Sequence, residues 1–298
     1  MLIVASLVGI VLIGAGSLLV AINRNGPAVL DAVDRITGGG ADVTLAHRES
    51  LGENARQKLL VYRPGAGGGG LPVFVFVHGG SWANGDPDDY GFIARNIAPE
   101  GFVVVLAGYR LGDAGRYPAM LEDTAGVIEW VGANIARFGG DPARIVVGGH
   151  SAGAYNVAQV VLEKRWLANA SVRGVVGLAG PYDFYPYDSA STKATFGAVG
   201  AGAETQPVNH VRADAPPFLL VHGEDDTLVK PRNSRALATA LGREGARVET
   251  LFLEGKTHND PLLALASPWR RDERVFERVS GFLAETTALS VPVQAETP

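Results

Sequence analysis

The junction between a predicted strand and a predicted helix reads Ile145-Val146-Val147-Gly148-Gly149-His150-Ser151-Ala152-Gly153-Ala154. Its second half is a G-x-S-x-G motif, placed after an apolar run and at the start of a stretch of helical period. This setting is typical of a nucleophile elbow, in which a strained turn holds a serine hydroxyl above the edge of a sheet. Side chains at Gly149 and Gly153 would collide with the neighbouring strand and helix. We predict Ser151 as a nucleophile; an ordinary serine N-cap is the alternative.

The chain beyond residue 55 alternates short apolar runs with longer stretches of helical period. Continuous apolar runs are typical of parallel strands that are buried on both faces. The alternation therefore predicts an α/β fold, with a mostly parallel central sheet and helices on both faces. Residues 184–217 have no clear period, and we interpret them as a short insertion over the site. The predicted strands are Leu59 to Tyr62, Val73 to Val77, Phe102 to Leu106, Ile145 to Gly148, Val172 to Leu178, Phe218 to Val221 and Val248 to Leu253, and the predicted helices are Tyr90 to Ala98, Pro118 to Phe138, Ala152 to Leu167, Pro231 to Gly242 and Pro268 to Glu285.

A second glycine motif, His78-Gly79-Gly80-Ser81-Trp82, follows an early apolar run. In a parallel sheet the residues after each strand meet at the carboxyl edge, where ligands bind. Glycines let the backbone approach a substrate, so that its N–H groups can donate to a developing oxyanion. We predict Gly79 and Gly80 as two such donors and Ala152, which follows the nucleophile, as the third. A plain Gly-Gly turn is the alternative.

A serine hydroxyl is weakly nucleophilic at neutral pH and needs a general base. Among the six histidines, His258 follows the last predicted strand and comes after Ser151 in the chain. We predict His258 as the base and keep His210, in the insertion, as the second choice. His222 ends a predicted strand, and we interpret it as holding the turn there through hydrogen bonds.

The base in turn needs a buried carboxylate that fixes its tautomer. The loop His222-Gly223-Glu224-Asp225-Asp226 follows a predicted strand and lies between Ser151 and His258, which gives the chain order Ser, Asp, His. We prefer Asp226 because it lies farthest around the turn. The other two acids of the loop are expected to be solvated.

Composition excludes several classes of protein. Apolar residues make up 47% and charged residues 19% of the 298, which excludes a disordered chain. A net charge of −5, without a basic run, argues against nucleic acid as a partner. The lack of cysteine excludes disulfides, thiolate nucleophiles and thiolate-bound metals. Asp86, Asp88 and Asp89 lack the spacing of a metal site, so we expect them to be solvated and expect neither a metal nor a cofactor.

The first 24 residues differ from the rest of the chain. The stretch from Leu2 to Ile22 carries no charge, and as a helix it would span about 31 Å, the thickness of the hydrocarbon core of a bilayer. We predict a membrane anchor in residues 1–24; a cleaved signal peptide, and hence a secreted or periplasmic protein, is the alternative. Residues 25–54 are then a linker and N-terminal extension, 55–285 the catalytic domain and 286–298 a flexible tail.

With these segments in place, the chain resembles the α/β-hydrolase superfamily of serine carboxylesterases and lipases, over roughly Gln57 to Glu285. The two glycine motifs, with Ser81-Trp82 and His150-Ser151, are more similar to arylformamidase-like and small bacterial esterase branches than to hormone-sensitive-lipase-like enzymes. The supporting matches are Gly108-Tyr109-Arg110-Leu111, Gly139-Gly140-Asp141-Pro142, Gly180-Pro181-Tyr182-Asp183-Phe184 and the H-G-x-x-D run that ends at Asp226.

The resemblance implies an α/β-hydrolase fold and a serine hydrolase of small-molecule carboxylic esters with short acyl chains. An amidase or N-formyl-arylamine hydrolase with the same triad is the enzymatic alternative. A non-catalytic scaffold would be expected to have a broken triad. Specificity depends on the shape of the pocket, and the candidate substrate-binding residues are Trp82, Tyr155, Tyr182 and Phe184.

Overall fold

The structure is a computed structural model and describes residues 25–37, 40, 42–267 and 272–289. The predicted membrane anchor lies outside these residues, as does most of the predicted tail, so both stay predictions. Within the described part of the chain, no helix has the length and apolar character needed to cross a membrane.

An eight-stranded sheet forms the centre of the described residues. Its strands are β1 (Val43–Ser50), β2 (Lys58–Pro64), β3 (Leu71–Val77), β4 (Val103–Ala107), β5 (Gly140–His150), β6 (Val172–Leu178), β7 (Phe218–Gly223) and β8 (Val248–Leu253). The spatial order is β1-β2-β4-β3-β5-β6-β7-β8. β2 pairs antiparallel with β1 and β4, whereas β4, β3, β5, β6, β7 and β8 pair parallel to their neighbours. The mostly parallel sheet is confirmed, and each of the seven predicted runs lies in a strand, apart from Phe102 at one end.

The helices come between the strands. α1 comprises helical residues 25–36, followed by α2 (Gly91–Ile97), α3 (Ala119–Asn134), α4 (Ala152–Leu162), α5 (Ala190–Phe196), α6 (Arg232–Arg243), α7 (Asp260–Leu263) and α8 (Glu273–Thr287). α4 ends earlier than predicted because Glu163 adopts an extended backbone conformation. α8 extends past Glu285 to Thr287, two residues into the predicted tail. α1, α5 and α7 are not among the predicted helices.

Two apolar cores cover the two faces of the sheet. Along β3, Val75 faces one core together with α3, α4 and α6, while Phe74 faces the other together with α2 and α8. Alternate residues of a strand point to opposite faces, so a strand covered on both sides reads as a continuous apolar run. The prediction of helices on both faces is confirmed.

The described residues of the stretch 25–54, expected to be a linker and N-terminal extension, are part of the folded unit. Strand β1 was missed because it lies at the edge of the sheet and is mostly exposed, so its sequence lacks an apolar run. α1 is held in place by the buried Asp34 carboxylate, which accepts hydrogen bonds from Arg95 Nε at 2.7 Å and from the Ser267 amide at 3.0 Å. The described domain therefore begins before residue 55.

Candidate active site

Ser151 occupies the sharp turn between β5 and α4. Its backbone is in the left-handed region, with φ of 53° and ψ of −120°, a conformation that is costly for a residue with a side chain. An ideal Cβ on Gly149 would lie 2.4 Å from the backbone of Gly153, and one on Gly153 would lie 2.1 Å from the carbonyl oxygen of Val77. The expected collisions at both glycines are confirmed.

His258 and Asp226 meet at the same edge of the sheet, on the loops that follow β8 and β7. His258 Nδ1 lies 2.7 Å from Asp226 Oδ2, and both side chains are largely buried. An ideal Cβ on Gly223 would lie 2.3 Å from the carbonyl oxygen of Lys256, so a glycine is needed where these two loops touch. Of the three neighbouring acids, the structure brings only Asp226 to the histidine. Asp225 is exposed, as expected, whereas Glu224 forms an ion pair with Arg235.

The Asp226 carboxylate is saturated with hydrogen bonds. Oδ1 accepts from the amides of Leu228 and Val229, both at 2.9 Å, while Oδ2 accepts from His258 and, at 3.1 Å, from His222 Nε2. Burial alone would raise the pKa of this carboxyl, but the hydrogen bonds from the two imidazoles outweigh burial and hold the pKa well below its usual range. Asp226 is therefore ionised at neutral pH and fixed in orientation.

The backbone of His258 is tied to the residue that precedes Ser151. His150 Nε2–H donates to the His258 carbonyl oxygen at 3.0 Å, and the two rings lie 4.9 Å apart. Burial, and next to it the nearby His258, lower the pKa of His150 to about 3, so its ring stays neutral. This contact holds the His258 loop against the elbow.

The other histidines lie elsewhere. His78 is buried against Tyr109, and burial lowers its pKa to about 4. His210, the second choice for the base, lies in the insertion with Nε2 2.7 Å from the Glu204 carbonyl oxygen. His222 does hold the turn after β7, as expected, because Nε2 also donates to the Val229 carbonyl oxygen at 2.7 Å.

The predicted oxyanion donors surround the elbow in different ways. Ala152 is the first residue of α4, so its amide has no acceptor within the helix. An ideal Cβ on Gly79 would lie 3.2 Å from the Cβ of Ser151, so Gly79 packs directly against Ser151. Of the described residues, Ser81 and Ala152 line the cavity at Ser151, whereas Gly79 and Gly80 do not. Ser81 was not predicted as a site residue. Its position directly after the two predicted donor glycines could have indicated it.

A cavity of about 460 Å³ opens at Ser151 and Ala152. Trp82 and Phe184 supply its aromatic wall, and Ser189 at the start of α5 belongs to the insertion, so the expectation that the insertion covers the site is confirmed. Leu228, on the loop after β7, also lines the cavity and is 68% exposed. No periodic signal marked Leu228 in the sequence.

Two of the four predicted wall residues are not in the wall. Tyr155 and Tyr182 are fully buried and are absent from the cavity lining among the described residues. Tyr155 instead packs edge-on against Trp82, with ring centroids 5.5 Å apart, and so lies behind the aromatic wall. Both tyrosines follow site motifs in the sequence, but they point into the core.

We expected the three acids after the second glycine motif to be solvated. In the structure, each of them has a side-chain partner. Asp86 pairs with Lys58 at 2.8 Å, Asp88 pairs with Arg48 at 2.6 Å, and Asp89 accepts from Asn25 at 2.7 Å. The cations come from β1 and β2, which were not expected to lie beside this loop. The acids thus tie the loop to the antiparallel edge of the sheet.

A model of the BD-FAE protein family matches residues 59–241, which is more than half of the chain. The chain belongs to the BD-FAE family. The match contains the elbow and Asp226 and ends before His258.

Curated proteins similar to this BD-FAE family member carry esterase names. Over 78% of the chain it is 30% identical to the isoprenylcysteine alpha-carbonyl methylesterase ICME of Arabidopsis thaliana, and over 71% it is 32% identical to esterase LipQ of Mycobacterium tuberculosis. The chain spans 61% and 55% of their lengths. The arylformamidase-like branch stays a prediction.

Solved structures share the fold of this BD-FAE family member. Esterase B from Lactobacillus Rhamnosis superposes with a TM-score of 0.74 at 17% identity and covers 91% of the chain and 96% of its own. A truncated carbohydrate esterase from gut microbiota superposes with a TM-score of 0.71 at 19% identity, over 84% and 99%. These likenesses confirm the α/β-hydrolase fold.

Proposed function

We propose that the chain hydrolyses carboxylic esters through a covalent acyl-enzyme. Ser151 Oγ attacks the acyl carbon while His258 takes its proton, and Asp226 holds the imidazole in the required tautomer. The amide of Ala152, which lines the cavity, stabilises the oxyanion, and the segment from Gly79 to Ser81 supplies the further backbone donors. His258 then protonates the departing alcohol, and a water that the same histidine activates releases the acid and restores Ser151.

One observation carries the proposal. The imidazole bound to the ionised Asp226 has its own backbone carbonyl tied to His150, the residue immediately before Ser151. The base, its acid and the candidate nucleophile are thereby held at one point of the sheet edge, beside a cavity that can admit a substrate. The esterase names of the curated relatives support the same bond type.

The cavity supports a small acyl group. Its volume of about 460 Å³ is at the lower end of the range of small-molecule pockets, and Phe184 and Ser189 of the insertion line it. We infer a preference for short acyl chains. Because several relatives are named isoprenylcysteine methylesterases, the methyl ester of an S-prenylated cysteine belongs in the test as a second type of substrate.

The test compares Ser151→Ala with Ser191→Ala, the same substitution at another hydroxyl of the same cavity. With p-nitrophenyl acetate we expect Ser151→Ala to lower kcat by at least about 10³-fold and Ser191→Ala to change it no more than about threefold. A fluorophosphonate should label the wild type and not Ser151→Ala. Near wild-type turnover by Ser151→Ala would refute the proposal.

A substrate series then defines the class. We expect kcat/KM to fall as the acyl group of p-nitrophenyl esters lengthens from two to twelve carbons. An increase with chain length, or faster hydrolysis of an S-prenylated cysteine methyl ester than of every p-nitrophenyl ester, would refute the short-chain preference. Faster hydrolysis of an N-formylated aromatic amine than of every ester would favour the amidase alternative.

A further inference from the structure

Two histidines share one oxygen of the proposed catalytic acid. Asp226 Oδ2 lies 2.7 Å from His258 Nδ1 and 3.1 Å from His222 Nε2. An ionised carboxylate can only accept, so both ring nitrogens are donors. The mechanism above needs the first of these contacts and makes no use of the second.

The surroundings of His222 fix which nitrogen carries its proton. Nε2 faces two acceptors, Asp226 Oδ2 and the Val229 carbonyl oxygen, so Nε2 must carry a hydrogen. Nδ1 lies 2.7 Å from the hydroxyl of Ser234, which can donate to a bare nitrogen. His222, Ser234 and the Asp226 carboxylate are fully buried, so water does not compete for these bonds.

We propose that His222 is a positioning residue that sets both the orientation and the basicity of the Asp226 carboxylate and, through it, the strength of His258 as a base. This inference rests on the proposed function of the triad. Each N–H donor that a carboxylate accepts stabilises its negative charge and makes it a weaker acceptor for the next donor. The second N–H donor therefore limits how strongly Asp226 stabilises a protonated His258.

The other titratable and charged groups around His222 and Asp226 can be named. His150 is kept neutral by burial, and Glu224 is paired with Arg235. On the loops after β7 and β8 and at the starts of α6 and α7, the other charged side chains are Asp225, Lys230, Arg232, Glu254, Lys256 and Asp260. They are present in every variant below, so differences between variants report on His222.

The experiment compares His222→Asn with His222→Gln. The amide of glutamine reaches the position of the imidazole Nε2 and can still donate to Asp226, whereas that of asparagine reaches only the position of Nδ1 and keeps the contact to Ser234. We expect His222→Asn to move the acidic limb of the pH profile of kcat/KM upward by about half a unit to one unit and to lower kcat roughly tenfold. His222→Gln should restore the wild-type profile.

Two results would overturn the inference. If both variants keep the wild-type pH profile and kcat and differ only in Tm, His222 has a purely structural role. Independently of any variant, the wild-type protein labelled with ¹⁵N-histidine should show His222 as the Nε2–H tautomer at pH 7.5, and an Nδ1–H tautomer would contradict the assignment. An active Ser151→Ala would instead refute the proposed function.

Discussion

The two halves of the candidate site are built in different ways. The Ser151 half is held by backbone packed against backbone: the elbow closes only because Gly149 and Gly153 lack side chains. The Asp226–His258 half is held by side-chain hydrogen bonds between two loops, with four donors on one carboxylate. A methyl group added at either glycine prevents the elbow from closing, whereas the loss of one hydrogen bond to Asp226 leaves the other three in place. The two halves should therefore respond differently to substitution.

The largest effect is expected from Gly153→Ala. Its Cβ would lie 2.1 Å from the Val77 carbonyl oxygen and 2.5 Å from that of His78, and neither backbone atom can move without displacing β3 or the segment after it. We expect a loss of roughly 3 kcal/mol or more in the free energy of unfolding, together with esterase activity at background. Urea unfolding and hydrolysis of p-nitrophenyl acetate measure the two.

Gly126→Ala is the matched control. Gly126 lies on the exposed side of α3, and an added Cβ would meet nothing within 4 Å. Alanine is a better helix former than glycine, so we expect a gain of roughly 0.5–1 kcal/mol in the free energy of unfolding and unchanged kcat. Equal stability of the two alanine variants would show that the elbow is not sterically closed.

The next largest effect is expected in the hydrogen-bonded half, from Asp226→Asn. The substitution keeps the shape of the side chain but removes the charge that, in the proposed mechanism, stabilises a protonated His258 and holds its tautomer. We expect kcat to fall by about 10³- to 10⁴-fold while the protein stays folded, as measured by steady-state kinetics and circular dichroism. Asp225→Asn, at the exposed neighbour, should retain full activity. A similar loss in both variants would mean that the loop, not the carboxylate, is required.

The same difference between the two halves explains which parts of the site could be predicted from the sequence. The elbow was predictable because its requirements are local: one strand, one serine and two glycines within five residues. The Asp226–His258 pair was found through chain order and strand ends, which identify the loops but not the contacts between them. The tie from His150 to the His258 carbonyl joins residues 108 positions apart, so no local pattern reveals it. The four-residue spacing of His222 and Asp226 was visible, but not their hydrogen bond.

The antiparallel edge of the sheet was harder to predict from the sequence, for a different reason. β1 pairs on one side only, and its exposed residues carry no apolar run. Its antiparallel pairing with β2 brings Arg48 to Asp88, so the acids after the second glycine motif have partners that spacing alone does not indicate. Local sequence thus predicts the buried parallel strands well and the solvated antiparallel edge poorly.

The smallest effect is expected behind the cavity, where the Tyr155 side chain packs against the aromatic wall. The Tyr155 hydroxyl is buried without a hydrogen-bond partner, and burial raises its pKa well above the usual value, so it stays neutral. Tyr155→Phe removes that unsatisfied group and keeps the ring against Trp82. We expect unchanged or slightly higher Tm, and kcat and KM within about twofold of wild type.

Trp82→Phe is the comparison for Tyr155→Phe, because Trp82 lines the cavity and its Nε1–H donates to Asn156 Oδ1 at 3.0 Å. Losing that bond and part of the wall should raise KM for p-nitrophenyl butyrate several-fold more than Tyr155→Phe does. If Tyr155→Phe changes KM as much as Trp82→Phe, the tyrosine hydroxyl reaches the substrate. The cavity would then extend behind the aromatic wall, and the first assignment of Tyr155 to the substrate site would be restored.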